Sequence, residues 1–180
     1  MTAARKKIPL IILFGGLAGL GMILFTIGTY KNGPQVFISN IVFLMYLIPI
    51  GLAIVAAQVE KKRNGGYLAF RSALRICFGI IVLSLAMQTI FNWALLHLID
   101  PAFARTLRPF VLANTEARYR HLGMPEEDIV RNIDVMKNDP DLFSLGSGLL
   151  GLIRIYYLVG FIVSLVLAAL LRRQGNPAKA

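Results

Sequence analysis

Residues 8–30 read IPLIILFGGLAGLGMILFTIGTY, an apolar run without a single charged side chain. Three further apolar runs follow at about 37–57, 76–98 and 148–171. A helix needs about 20 mostly apolar residues to cross roughly 30 Å of hydrocarbon, and the four runs meet that length or come close to it. The sequence therefore predicts an all-α integral membrane protein, with four spans forming a four-helix bundle in one domain, residues 1–180.

The composition suits a bilayer better than water. Of the 180 residues, 57% are hydrophobic and 16% are charged, which is too apolar for an ordinary soluble domain. The net charge of +10 could suit nucleic acid, but the excess lies just outside the apolar runs, opposed there only by Glu60. The cations concerned are Arg5, Lys6, Lys7, Lys61, Lys62, Arg63, Arg71, Arg75, Arg172, Arg173 and Lys179. We expect a lipid bilayer as the partner and no nucleic acid.

The distribution of Lys and Arg predicts the orientation. Both tails and the short loop 58–75 are rich in cations, whereas the connection between the first two runs carries only Lys31. Since short cationic segments stay in the cytoplasm, we expect both termini inside, in the inner membrane of a bacterium. The first run is longer than the apolar part of a secretory signal, so we expect it to remain as a span.

Two local signals shape the first half of the chain. The sequence YKNGP at 30–34 predicts a tight turn that joins the first two spans, because Gly and Pro interrupt a helical pattern there. Pro49 lies within the second span and predicts a kink, since it removes one backbone donor. That kink could be a static bend or a hinge.

The stretch at about 101–144 predicts a helical hairpin outside the membrane. Apolar side chains recur at helical spacing from Phe103 to Val111, and Gly123 suits the left-handed position that ends a helix. Pro125 and the three acids after it suit the start of a second helix. Such a pair could cap the bundle or lie on the outer leaflet.

The order of these segments resembles a known family. The stretches that resemble the family are KKRNGGYLAF at 61–70, DPAF at 100–103, HLGMPEE at 121–127 and the arginine pair at 172–173. They are similar to the bacterial membrane proteins grouped as domain of unknown function 4199, found largely in the Bacteroidetes. The resemblance covers nearly the whole chain and implies four spans in an inner membrane. It implies no activity.

Known cofactor and metal motifs are absent from the sequence or lack their context. The letters GSGLLG at 146–151 match a dinucleotide fingerprint, but no strand precedes them and no acid follows at the ribose position. With two histidines and the single Cys77, we expect no metal site, no disulfide and no cofactor.

Small residues at four-residue spacing predict close helix packing. Gly15 and Gly19 form one such pair, and Gly160, Ser164 and Ala168 form a row. In lipid these faces let backbones approach, and we favour contacts within one chain over contacts between chains. Oligomerisation stays open.

Five polar residues near one end of the third and fourth spans form a candidate site, because polar groups are costly in hydrocarbon. They are Gln88, Asn92, His97, Asp100 and Arg154. One interpretation is a shallow ligand or ion site closed by pairing of Asp100 with Arg154. The other is that Arg154 reaches the interface within an aromatic belt.

The loop before the third span offers a second candidate, for lipid head groups or a cytoplasmic partner. Its residues are Lys61, Lys62, Arg63, Tyr67, Phe70, Arg71 and Arg75. The alternative is that they serve only as an orientation signal and interface anchor.

These patterns favour a non-enzymatic structural or interaction module, whose outer hairpin contacts a protein partner or the outer leaflet. An oligomeric channel or transporter is the alternative, although no span carries a charged face through the bilayer centre. A membrane enzyme acting on lipid or quinone through His97, Asp100 and Arg154 is the third hypothesis.

Overall fold

The computed structural model describes residues 10–140, 142–144 and 157–172, and every regular element within these ranges is helical. The α-helices are α1 (Leu10–Lys31), α2 (Pro34–Phe37), α3 (Leu47–Arg63), α4 (Phe70–Ala94), α5 (Pro101–His121), α6 (Glu126–Asn138) and α7 (Tyr157–Leu171). A 3-10 segment, Asn40–Tyr46, leads into α3, and a π-helical turn, Leu95–Ile99, follows α4.

Three helical stretches are long and apolar enough to cross a membrane. They are Leu10–Lys31, Asn40–Arg63 and Phe70–Ile99, with 22, 24 and 30 residues. These stretches confirm the first three predicted apolar helices. The shorter apolar helix Leu158–Leu171 covers the end of the predicted fourth span, whose first part, 148–156, lies outside the described residues.

Helix α4 is the centre of the packing, because α1, α3 and α7 all pack against it. The innermost side chains are small. Six alanines are fully buried there: Ala18, Ala53, Ala56, Ala57, Ala73 and Ala168. Small side chains let helix backbones approach closely, which is the main source of association in lipid.

The predicted glycine face of α1 packs within the chain. A β-carbon added to Gly15 would lie 2.8 Å from Cδ2 of Leu83, and one added to Gly19 would lie 2.6 Å from the sulfur of Met87. Both neighbours belong to α4. This contact confirms the expectation that the Gly15 and Gly19 face serves packing inside one chain.

The connection from α1 to α3 is more elaborate than the tight turn expected at 30–34. Gly33 has a positive φ of 96°, and Pro34 then starts the four-residue helix α2, because its fixed φ suits the first helical position. The 3-10 segment follows before α3 begins. Pro49 falls in the first turn of α3, so its missing donor coincides with the change from 3-10 to α-helix.

The stretch after α4 forms two helices, as the sequence predicts. Gly123 has a φ of 73°, and the amides of Gly123 and Met124 donate to the carbonyls of Arg120 and Tyr119, which ends α5. Helix α6 then begins at Glu126 and packs on α5 through Ile129, which is 1% exposed. We call the side of the bundle that contacts α5 the α5 end.

Candidate functional site

Asp100 is the polar centre of the α5 end. Its Oδ2 accepts a hydrogen bond from the Tyr30 hydroxyl at 2.8 Å, and its Oδ1 accepts one from the Phe103 amide at 3.0 Å. The second bond caps α5, whose first amides would otherwise lack partners. Asp100 thereby ties the end of α1 to the start of α5.

The backbone before Asp100 explains how this carboxylate is placed. The Asp100 amide donates to the Leu95 carbonyl at 2.8 Å, a five-residue step that ends α4 in a π-helical turn. Because the hydrogen bonds from Tyr30 and Phe103 favour the charged carboxylate, the pKa of Asp100 lies below its usual value.

An aromatic cluster surrounds this link. The ring of Phe103 meets the rings of Tyr30 and Phe37 edge to face, with centroids 4.7 Å and 5.4 Å away. Leu96 and Leu107 are buried against the same cluster. These contacts hold α5 across the ends of α1 and α2.

Gln88 and Asn92 form a second polar contact inside the bundle. The Gln88 amide nitrogen donates to the Thr26 hydroxyl of α1, and also to Oδ1 of Asn92 at 3.2 Å. Gln88 and Thr26 are each 4% exposed. The structure thus brings two members of the predicted polar cluster together, and the partner that sequence reasoning missed is Thr26.

The other predicted members lie apart from this pair. His97 is exposed, its ring stacks on Trp93, and its Nδ1 donates to the Trp93 carbonyl at 3.0 Å. Asp100 bonds to Tyr30, which sequence reasoning also missed because 70 positions separate the two residues. Arg154 lies outside the described residues, so its predicted pairing with Asp100 stays a prediction.

The cationic loop lies at the opposite end of the bundle from the α5 end. The amides of Gly65 and Gly66 donate to the carbonyls of Lys62 and Lys61, and both glycines have positive φ, so α3 ends in a tight reversal. Lys61 itself donates to the Leu171 carbonyl at the end of α7, at 3.3 Å. The Lys61 side chain therefore also joins α3 to α7.

The remaining loop residues face outward. Lys62, Arg63, Arg71 and Arg75 are exposed, and Tyr67 and Phe70 are 46% and 37% exposed. Leu68, which sequence reasoning did not single out, is the buried anchor of the loop at 1% exposure.

A cleft beside the loop is consistent with the predicted lipid contact. It measures about 550 Å³ and lies between the start of α4 and α7. Its lining comprises Arg71, Ser72, Leu74, Arg75, Phe78 and Phe161. Two arginines beside apolar rings suit an anionic head group at an interface, and this role stays a prediction.

Three ion pairs lie on the two helices after α4. Arg120 contacts Glu116 and Glu126, each at 2.9 Å, and Arg131 contacts Asp128 at 2.8 Å. The hydrogen bond to Glu126 and the charges of Glu126 and Glu116 raise the pKa of Arg120. Because these pairs are exposed, each contributes little to stability.

Among the described residues, no three His, Cys, Asp or Glu side chains converge as metal ligands would.

Comparison with known proteins places the chain in a family. A family model described as "Protein of unknown function (DUF4199)" matches residues 13–173, from α1 to just beyond α7. No curated protein and no solved structure matches the chain. The chain therefore belongs to the DUF4199 family, as the resemblance of its loop, of segment 100–127 and of its arginine pair predicts.

Proposed function

We propose that this chain is a non-enzymatic, multi-pass protein of the bacterial inner membrane. In this proposal four spans form the bundle, both termini are cytoplasmic, and α5 with α6 forms a helical hairpin outside. The support is the set of three long apolar helices, the packing of α7 along α4, and the concentration of cations in the short loop 58–75 and in the two tails of the sequence.

In this proposal the hairpin is the functional surface, and its attachment to the bundle is the main support. Asp100, Tyr30 and the Phe103 cluster hold α5 to the bundle, so α6 is presented on a fixed support. Preorganised surfaces bind with a smaller loss of entropy than mobile ones. A partner therefore meets α6 in a defined position.

The free face of α6 indicates the chemistry of the partner. Ile129 is turned inward, whereas Val130 and Val135 are 61% and 65% exposed. Residues 126–139 contain five acids and two cations. Residues five apart point about 140° away from each other on a helix, so the two valines flank this charged face. A protein with a basic centre between two apolar edges would complement it.

The experiment is site-specific photo-crosslinking in intact cells. A crosslinking amino acid at Val135 should give one discrete adduct, and the same group at Ala113, exposed on α5, serves as the matched control. The double variant Val130→Asp and Val135→Asp should abolish the adduct. If Val135 and Ala113 give the same diffuse products, or if the double variant leaves the adduct unchanged, α6 is not the contact surface.

A further inference from the structure

Two neighbouring clefts at the α5 end share two lining residues. We call the polar cleft the entrance, the apolar one the inner cleft, and the two together the path. The entrance is about 440 Å³ and lies between α5 and the 3-10 segment. The inner cleft is about 290 Å³ and lies between α3, α4 and α7. Phe43 and Tyr46 line both, so the two clefts share a wall.

The 3-10 geometry builds this shared wall. In a 3-10 helix, residues three apart lie one above the other, so Asn40, Phe43 and Tyr46 form a single row. Along this row the amide of Asn40 is followed by the aromatic rings of Phe43 and Tyr46, whose centroids are 6.4 Å apart. All three residues line the entrance, and only the two aromatic residues continue into the inner cleft. Polarity therefore falls along the path.

The far wall of the entrance supplies positive charge. It is one face of α5, made by Asn114, Ala117, Arg118 and His121. Arg118 is exposed and forms no ion pair within the described ranges. A guanidinium with free donors binds phosphate oxygens in a two-pronged geometry. The Asn114 amide nitrogen bonds to the Ile38 carbonyl at 3.2 Å and thereby fixes α5 over the entrance.

Most residues that line the inner cleft are apolar. Pro49 and Ile50 come from α3, Ile81 and Leu85 from α4, and Val159, Gly160 and Val163 from α7. Gly160 keeps α7 close to α4, since an added β-carbon would lie 3.0 Å from Cγ2 of Ile81. Such a lining favours a hydrocarbon chain, because a polar group buried there would lose its hydrogen bonds to water.

We propose that this path binds one anionic phospholipid of the leaflet at the α5 end, with its phosphate at Arg118 and one acyl chain in the inner cleft. The charge of Arg118, the row from Asn40 to Tyr46 and the apolar lining each match one part of that molecule. The combined size lies in the range of small-molecule sites, about 300–1,000 Å³. This site is independent of the surface on α6.

The test uses the purified full chain in detergent and measures binding of phosphatidylglycerol by native mass spectrometry. Arg118→Gln should weaken binding about tenfold, the effect of losing one charge-assisted contact. Val159→Trp, at a position 51% exposed in the wild type, should fill the inner cleft and weaken binding to a similar extent. Neither change disturbs a buried side chain, and the unfolding temperature checks that each variant is folded.

Matched controls separate this site from general lipid contact. Arg105→Gln changes an exposed arginine on the opposite face of α5, and Leu158→Trp changes a neighbouring exposed position that does not line the cleft. Both should bind like the wild type. Inorganic phosphate should not displace the lipid, and phosphatidylcholine should bind more weakly.

Three results would overturn the proposal. Equal binding by all variants would mean that lipid merely surrounds the bundle. Displacement by inorganic phosphate would mean that Arg118 holds phosphate alone. Loss of binding in Arg71→Gln with full binding in Arg118→Gln would place the lipid in the cleft beside the cationic loop instead.

Discussion

At the residue scale, two side chains join helices that are distant in sequence. Asp100 accepts from Tyr30 at the end of α1 and caps α5, so one carboxylate links two elements. Gln88 links α4 to Thr26 of α1 where both side chains are buried. Polar contacts of this kind orient helices that apolar packing alone would leave free to rotate.

The link at Asp100 should depend on pH. Because its folded pKa is lowered by the bonds from Tyr30 and Phe103, the link stabilises the fold above the unfolded Asp value of about 3.9. That stabilisation should decline as the pH falls through the lower, folded value. We expect Asp100→Asn to have a lower Tm than the wild type at pH 7, and we expect this difference in Tm to shrink as the pH falls below about 4.

Thermal unfolding in detergent from pH 7 to pH 3 measures this effect. Asp134→Asn is the matched control, since Asp134 is exposed and lies on α6 away from the bundle. A difference between Asp100→Asn and the wild type that stays constant across this pH range would contradict the assignment.

The contact between Gln88 and Thr26 should appear as an energetic coupling. Gln88→Met and Thr26→Val keep the side-chain volumes and remove the hydrogen bond. A double-mutant cycle should then give a coupling of about 0.6 kcal/mol, with an upper limit of about 1.7 kcal/mol, as for other hydrogen bonds between membrane helices. Reversible unfolding in mixed detergent provides the four free energies of unfolding.

The control cycle pairs Thr26→Val with Thr89→Val. The Thr89 hydroxyl donates to the Leu85 carbonyl of its own helix, so its coupling to Thr26 should be close to zero. Equal couplings in both cycles would show that the effect is general loosening of the bundle.

At the element scale, the shape of each helix follows from where its backbone donors are satisfied. The 3-10 segment gives way to α3 at Leu47, and Pro49 lies in the first turn of α3, where its missing N–H leaves no unpaired carbonyl deeper in the helix. The π-helical turn after α4 brings the Asp100 amide to Leu95 and turns the chain toward α5. Both irregular segments lie at the α5 end, beside the proposed lipid path.

The close packing of the glycine face of α1 on α4 predicts how substitutions on this helix change the stability of the bundle. Gly19→Leu would drive a side chain into Met87, whose Cβ lies 3.0 Å from the added β-carbon, and should destabilise the bundle by about 1–3 kcal/mol. A β-carbon added to Gly16 has no neighbour within 4 Å among the described residues, so Gly16→Leu should change stability by about 0.5 kcal/mol or less.

Unfolding of both variants in the same detergent gives the comparison. Since Gly16 and Gly19 lie on the same helix, differences in helix propensity cancel between Gly16→Leu and Gly19→Leu. Similar losses of stability in the two variants would argue that the Gly19 face does not pack tightly on α4.

At the scale of the whole molecule, the arrangement of charge carries the proposed orientation. In the sequence the excess cations belong to the short loop 58–75 and the two tails, whereas the long stretch 100–144 balances six cations with eight acids. Short cationic loops resist transfer across the membrane. The loop and both tails should therefore share the cytoplasmic side, and α6 should face outward.

Cysteine labelling in intact cells tests this orientation. After Cys77→Ser, single cysteines are placed by Asn64→Cys, Lys137→Cys and Ala178→Cys, and an impermeant thiol reagent is added. We expect only the variant with Lys137→Cys to react before the cells are opened, and all three to react afterwards. Reaction at Asn64→Cys with protection of Lys137→Cys would invert the topology and place α6 in the cytoplasm.

Local patterns were sufficient for the helices themselves. The apolar runs at 8–30, 37–57 and 76–98 correspond to long apolar helices, and Gly123 ends α5 where expected, because length, polarity and backbone conformation are properties of short stretches. The family match over 13–173 likewise confirms a resemblance that rested on short motifs.

Only the tertiary structure decided which side chains meet. Nothing near Asp100 in the sequence points to Tyr30, nor near Gln88 to Thr26, since those pairs are 70 and 62 positions apart. The sequence by itself determined the long apolar helices, the cationic loop and tails, and the glycines that occupy turns. The polar links at the α5 end and the cleft wall of Phe43 and Tyr46 depend on how the helices cross, which is set by close packing between distant segments.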